Sequence, residues 1–241
     1  MALTDNLQAF YKLSDTSDSS GNNRTLTNNG NVSFASGKIG NAAVFDGSGY
    51  LNVEDTSFAF SGDFSISSYF KLTQAMNEDS FAHIVQGVAG GDTPGDWFFG
   101  IAKTLSWANN ANGLAFGTHW AIYPLVTAEF SPELNTWYHA AVKRSNGTIT
   151  LYINGQAIGS AADTNPRTAS GLSFGKSDGS GGGALYGSVD AFGIWNRALS
   201  DAEFAALCNN GTGLELDGVA QPTLVKLQAP VKFMGKVKFG V

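Results

Sequence analysis

The chain has 241 residues, of which 43% are hydrophobic and only 14% charged, with 30 Gly and 17 Phe. This apolar content excludes a disordered chain, and the charged fraction lies well below the roughly 25% of ordinary soluble proteins. One cysteine, Cys208, and three histidines exclude a disulfide framework and a Cys/His zinc cluster of ordinary spacing. No apolar run reaches the roughly 18 residues of a membrane span, and Met1 to Asp5 lacks the basic and apolar stretches of a signal peptide. The net charge of −6 is uneven: residues 218–241 hold Lys226, Lys232, Lys236 and Lys238 and no acid, leaving −10 on residues 1–217. An acidic body does not suit general nucleic-acid binding.

Short alternation punctuated by Gly, Asn and Asp predicts antiparallel strands in a sandwich or barrel. Leu7 to Leu13 reads as the first strand. Asp63 to Lys71 places Phe64, Ile66 and Phe70 on one face and Ser65, Ser67 and Tyr69 on the other, the pattern of a half-buried strand. From Gly87 to Pro132 the pattern is irregular, with loops at Gly90 to Asp96 and Ser106 to Gly113 around apolar stretches Trp97 to Ala102 and Leu114 to Phe116. Thr136 to Lys143, the turn Ser145-Asn146-Gly147, and Thr148 to Gly155 begin a meander in which Ile149, Leu151 and Ile153 point inward. Asn154-Gly155 suits the two positive φ angles of a type I′ hairpin, so Gln156 to Gly159 returns beside it. Ser177 to Gly183 reads as a mobile rim loop. Ser200-Asp-Ala-Glu203 is a capping box opening a two-turn helix that stops at Asn209-Asn210-Gly211 and is expected against the end of the sandwich. The composition then changes, dividing a domain of residues 1–217 from a basic, apolar tail of residues 218–241.

Several motifs stand together in order: Phe10-Tyr-Lys-Leu13, Asp18-Ser-Ser-Gly-Asn-Asn23, Gly40-Asn-Ala-Ala-Val-Phe-Asp-Gly47 and Gly62-Asp-Phe-Ser-Ile66. Asn135-Thr-Trp-Tyr-His-Ala-Ala-Val142, Leu151-Tyr-Ile-Asn-Gly155 and Gly187-Ser-Val-Asp-Ala-Phe-Gly-Ile-Trp195 follow. This order resembles the laminin G-like domains of the concanavalin A-like lectin and glucanase superfamily over about residues 5–213. The resemblance implies an all-β, two-sheet antiparallel jelly roll with one short helix near the C-terminal end of the domain. It does not imply one function, because this architecture carries lectins, adhesion modules, hydrolases and structural domains.

A metal is the first candidate site. Asp18, Asn22 and Asn23 offer hard oxygen ligands around a Gly turn, which suits calcium. The loop is not an EF-hand, since the position needing a bidentate Glu falls on Leu26 or Asn29. The resemblance implies a structural calcium tying such a loop to a late strand, where the matching acid is Asp190; Asp15 is a weaker ligand. The competing reading gives Asp18 an Asx turn and Asp190 bonds to backbone amides or Arg197.

Catalysis finds less support. The glucanases present paired carboxylates on one strand as Glu-x-Asp-x-Glu, and no such run occurs here. Glu78 and Asp79 would leave a strand on opposite faces, and Ser131-Pro132 separates Glu129 from Glu133. His139 reads as a packed or bonded residue, His83 and His119 have no identifiable nucleophile, and Cys208 looks like a small buried hydrophobe. A sugar platform is available in Trp97, Trp107, His119, Trp120 and Tyr123, with Asp92 and Asp96 nearby, although Trp97-Phe-Phe fits a core strand as well.

The function expected is that of a non-catalytic structural or adhesive module of a larger assembly, above all a virion protein such as a phage fibre or capsid decoration component. The alternative is a calcium-dependent lectin domain of a secreted or surface protein. In the tail, Val231, Phe233, Val237 and Phe239 share one face and Lys232, Lys236 and Lys238 the other. With Leu224 and Leu227 this predicts added β structure docking on another protein subunit, in a homo-oligomer or a particle, or else a return onto the chain's own sandwich.

Overall fold

A computed structural model describes residues 1–30, 32–88, 96–106, 111–118, 126–176 and 183–217. Trp107, His119, Trp120 and Tyr123, the loop segment 177–182, and the tail with Leu224, Leu227, Val231, Phe233, Val237 and Phe239 lie outside the described residues. The strands in chain order are β1 (Leu7–Tyr11), β2 (Thr27–Asn29), β3 (Ser33–Ser36), β4 (Asn41–Asp46), β5 (Tyr50–Glu54), β6 (Phe64–Leu72), β7 (Ser80–Val88) and β8 (Trp97–Leu105). They continue with β9 (Ala111–Thr118), β10 (Val126–Ala128), β11 (Tyr138–Ser145), β12 (Thr148–Ile153), β13 (Gln156–Ala162), β14 (Gly171–Phe174) and β15 (Tyr186–Trp195), and one helix, α1 (Asp201–Cys208), follows.

These strands form two antiparallel sheets. The first runs β13-β12-β11-β6-β15-β4-β3, with β1 also on β15; the second runs β10-β9-β8-β7-β14-β5-β2. The jelly-roll sandwich is therefore present. Its core follows from period-2 alternation: Phe64, Ile66 and Phe70 of β6 and Ile149, Leu151 and Ile153 of β12 join Ile84, Phe99 and Phe116 of the opposite sheet in one apolar cluster. The Phe64 and Phe116 rings meet across the sheets at 5.3 Å. The meander β11-β12-β13 is as predicted, with Asn154 and Gly155 at φ 49° and 76° in its turn.

Two expectations need correction. Strand β6 is buried on both faces rather than one, because Tyr69 on its outer face joins Phe10, Tyr152 and Trp195 in a second apolar layer closed by Phe204, Leu207 and Leu216. Helix α1 forms this lid, so it covers the outer face of the first sheet beside the β12–β13 turn rather than the end of the sandwich. Phe204 meets Tyr152 at 4.7 Å, and Asp201 accepts hydrogen bonds of 2.7 Å from both Tyr152 and Lys143. The predicted capping box is present. Arg197 grips the Glu203 carboxylate at 3.0 and 2.6 Å, and these bonds hold that group down at about 2.

A buried ionic cluster joins the end of β11 to the segment after β13. Asp163 receives Arg167 directly and Arg144 at 3.5 Å, with all three side chains almost fully enclosed. Strand β15 also carries a bulge between Asp190 and Gly193, where Ala191 takes φ 46° and the strand changes neighbour from β4 to β1. Among the described residues no helix is long and apolar enough to cross a membrane.

Candidate functional site

The Asp18 loop is closed by its own hydrogen bonds. Asp18 Oδ1 accepts from the amides of Phe10 at 3.1 Å and Ser20 at 2.8 Å, and Oδ2 accepts from Arg24 at 3.1 Å. Asn22 donates its side-chain amide to the carbonyls of Leu7 and Gln8, Asn23 takes the left-handed turn position at φ 59°, and Asp15 bonds Ser17. The loop is thus laced to the edge of β1. Asp190 serves a different segment: its Oδ2 accepts from the amides of Lys38 at 2.7 Å and Ile39 at 2.9 Å in the β3–β4 turn. Asp18 and Asn22 therefore belong to one hydrogen-bond set and Asp190 to another, and the described residues contain no group of three or more His, Cys, Asp or Glu suited to a metal ion. A calcium shared by Asp18 and Asp190 would have to displace or share these amide bonds.

Asp190 is fully buried, and its Oδ1 has no partner among the described residues. Burial, reinforced by the charge of Glu215, pushes its carboxyl up to about 6 against the stabilising amides. The folded chain thus holds this proton more tightly than the unfolded chain, so the group's contribution to stability is complete below about pH 4 and is lost as pH rises through about 6. Asp190→Asn is expected to flatten the fall in Tm between about pH 4 and 6. Parallel profiles of variant and parent across that window would refute this.

The histidine of the family motif is structural. His139 Nε2 and Ser67 Oγ lie 2.8 Å apart, a nucleophile-and-base pair in outline. Both are buried, however, burial pushes the imidazole down to about 4, and Nδ1 has no orienting partner among the described residues. The pair is enclosed within the sheet packing. Glu78 and Asp79 lie in the turn before β7 rather than on a strand; Glu78 is 3.6 Å from Lys103, and Asp79 accepts the Ser106 amide at 2.6 Å.

Trp97 is not an exposed platform: it is 0% exposed, packs on Phe60 and Phe116, and donates Nε1–H to the Phe58 carbonyl at 3.3 Å. The reason lies on the neighbouring strand. Gly87 is paired with Trp97, and a Cβ there would come within 2.1 Å of the indole, so the glycine makes the space that the ring fills. Asp96 is buried beside it.

Among the described residues the exposed aromatic ring is Tyr186, at 41%. It begins β15 opposite Asp46, and its ring lies across Gly47, where a Cβ would strike it at 2.4 Å. Gly47 has φ +82°, so glycine meets both the turn and the ring. The tyrosine borders a cleft of about 540 Å³ at the end of the sandwich, beneath the β6–β7 connector. Leu72, Ala82 and Leu105 give it apolar walls, while Gln74, Asn77 and Ser80 bring amide and hydroxyl groups to its rim. A smaller cleft of about 170 Å³, lined by Met76, Phe130 and Leu134 among others, flanks the same connector. The sequence reading missed Tyr186 because only the β4–β15 pairing shows that the ring rests on a glycine turn.

A two-sheet jelly roll with a helical lid and an open aromatic cleft has the lectin-like architecture. Residues 45–205 match the concanavalin A-like lectin/glucanases superfamily, and the chain belongs to it. A comparison with curated protein sequences finds no match. Among solved structures the chain is similar to domain 4 of AbnA, a GH43 extracellular arabinanase from Geobacillus stearothermophilus, in complex with arabinotriose. The TM-score is 0.67 and the identity 22%, covering 83% of this chain and 97% of that one. It is also similar to the binding domain of Paraclostridial Mosquitocidal Protein 1, with TM-score 0.64, 20% identity and coverage of 87% and 53%. The binding domain of Botulinum neurotoxin DC, in complex with rat synaptotagmin II, gives 0.62, 17%, 86% and 52%. The chain thus spans about half the length of these toxin domains, and the likeness is one of fold.

Proposed function

We propose that this chain is a non-catalytic recognition module that binds carbohydrate through the Tyr186 cleft and serves as the adhesive part of a larger assembly. The observation that carries this reading is the exposed Tyr186 ring, fixed from behind by Gly47 and bordered by neutral polar groups. A sugar presents one apolar C–H face and a ring of hydroxyls; a fixed aromatic plane meets the first, and convergent amide and hydroxyl groups meet the second. Resemblance to an arabinanase domain seen with arabinotriose supports the same ligand class.

The assembly in this proposal is a virion, as fibre or capsid decoration, with a cell surface as the other setting. Support for a docked module comes from the apolar and basic alternation of residues 231–239. Deleting residues 221–241 should leave Tm unchanged and abolish oligomer or particle binding; an unfolded product would make the tail part of the core.

Glycan-array binding followed by calorimetry tests the cleft. Tyr186→Ala is expected to weaken the best glycan at least roughly tenfold, the loss of one well-placed contact of about 1.4 kcal/mol, with the melting temperature unchanged. An unchanged affinity would remove the cleft from consideration.

A further inference from the structure

The charges around the cleft narrow its ligand. Among the described residues that line it, Asp79 is the only charged side chain. Asp79 Oδ1 accepts the Ser106 amide at 2.6 Å, and that bond holds its carboxyl below the usual range, so it stays ionised. On the Tyr186 side the cross-strand neighbour is Asp46, whose carboxylate is likewise held down by the hydroxyl and amide of Ser48. One nearby cation, Lys103, lies in the smaller cleft and is 3.6 Å from Glu78. Recognition of carboxylate or sulfate ordinarily uses Arg, Lys or a helix N-terminus, and no such group lines the main cleft among its described residues.

Resting on the reading of this cleft as a glycan site, we infer that its ligand is an uncharged oligosaccharide and that Asp79 and Asp46 select against acidic ones. Gln74, Asn77 and Ser80 supply both donors and acceptors, as hydroxyls require, and carry no charge to be neutralised. Asp79 lines the cleft, and Asp46 is paired across the strands with Tyr186 at its border. A sialylated, uronate or sulfated glycan would bring like charge into their field at low ionic strength.

An array of matched pairs, each acidic glycan beside its uncharged counterpart, tests this with the full chain, Tyr186→Ala and Asp79→Asn. Asparagine at 79 keeps the acceptor for the Ser106 amide and removes the charge. The uncharged members should bind at least roughly tenfold more tightly than their acidic counterparts at low salt, and the gap should narrow in Asp79→Asn and at high salt. Acidic glycans bound as well as or better than neutral ones, and lost in Tyr186→Ala, would overturn the inference while leaving the cleft as the site. Binding that survives Tyr186→Ala would overturn the site itself, and no binding to either class would overturn both.

Discussion

Replacing Asp163 by Ala is expected to cost roughly 3–5 kcal/mol of folding stability, the loss seen when one partner of a buried ion pair is removed. Asp163 stands between two guanidinium groups, Arg144 and Arg167, whose side chains are each only 2% exposed. Further donors of these arginines go to carbonyls: Arg144 bonds Gly62 and Asn165, and Arg167 bonds Asn165 and Pro166 through one terminal nitrogen, while Arg167 Nε has no partner among the described residues. The cluster therefore already holds one cation more than its carboxylate balances. Removing the carboxylate leaves two buried positive charges facing each other, while burial already lowers the Arg167 pKa. Arg144 on β11 also fastens the 60–62 segment to the 163–167 segment, so the loss should spread to both. Urea unfolding of the variant measures the effect, and a loss below about 1 kcal/mol, the range of an exposed pair, would show that water reaches the cluster.

The second large effect separates core from site. Trp97→Ala should cost roughly 3–5 kcal/mol through the cavity left among Phe60, Phe116 and Gly87. Its glycan affinity, measured where the variant is still folded, should equal that of the parent. Tyr186→Ala should do the reverse, because the ring is partly in solvent and its removal opens no enclosed void. If Trp97→Ala instead weakened binding while leaving unfolding unchanged, the positions of core and platform would have to be exchanged.

That exchange is also where the sequence stops being legible. The strands β6 and β12, the Asn154-Gly155 turn and the Ser200 capping box are written in neighbouring residues, and each is where the alternation or the spacing puts it. Exposure of an aromatic is not local. Trp97 goes inward because Gly87 on another strand leaves room, and Tyr186 stays outward because Gly47 supports its ring from behind. Gly87 lies on the strand before that of Trp97, and Gly47 lies more than a hundred residues before Tyr186, so neither aromatic's own strand carries that information. Asp190 is similar: its burial was legible from Val189 and Ala191, but its amide partners, Lys38 and Ile39, lie about 150 residues earlier in the chain. The covered outer face of β6 depends in turn on a helix encoded more than a hundred residues later.

Strand β15 sets the direction in which the molecule faces. Tyr186 begins it and Trp195 ends it, a run of about 30 Å at the usual rise per residue. At the far end Trp195 donates to the Leu3 carbonyl and Arg197 to those of Ala2 and Asp5. The first residues are thus held at the pole opposite the cleft. A carrier joined there would hold the cleft at the distal tip, pointing away from itself. Copies planted side by side on such a carrier would all point their clefts the same way, and a weak grip on one sugar chain would become a strong grip on a coated surface.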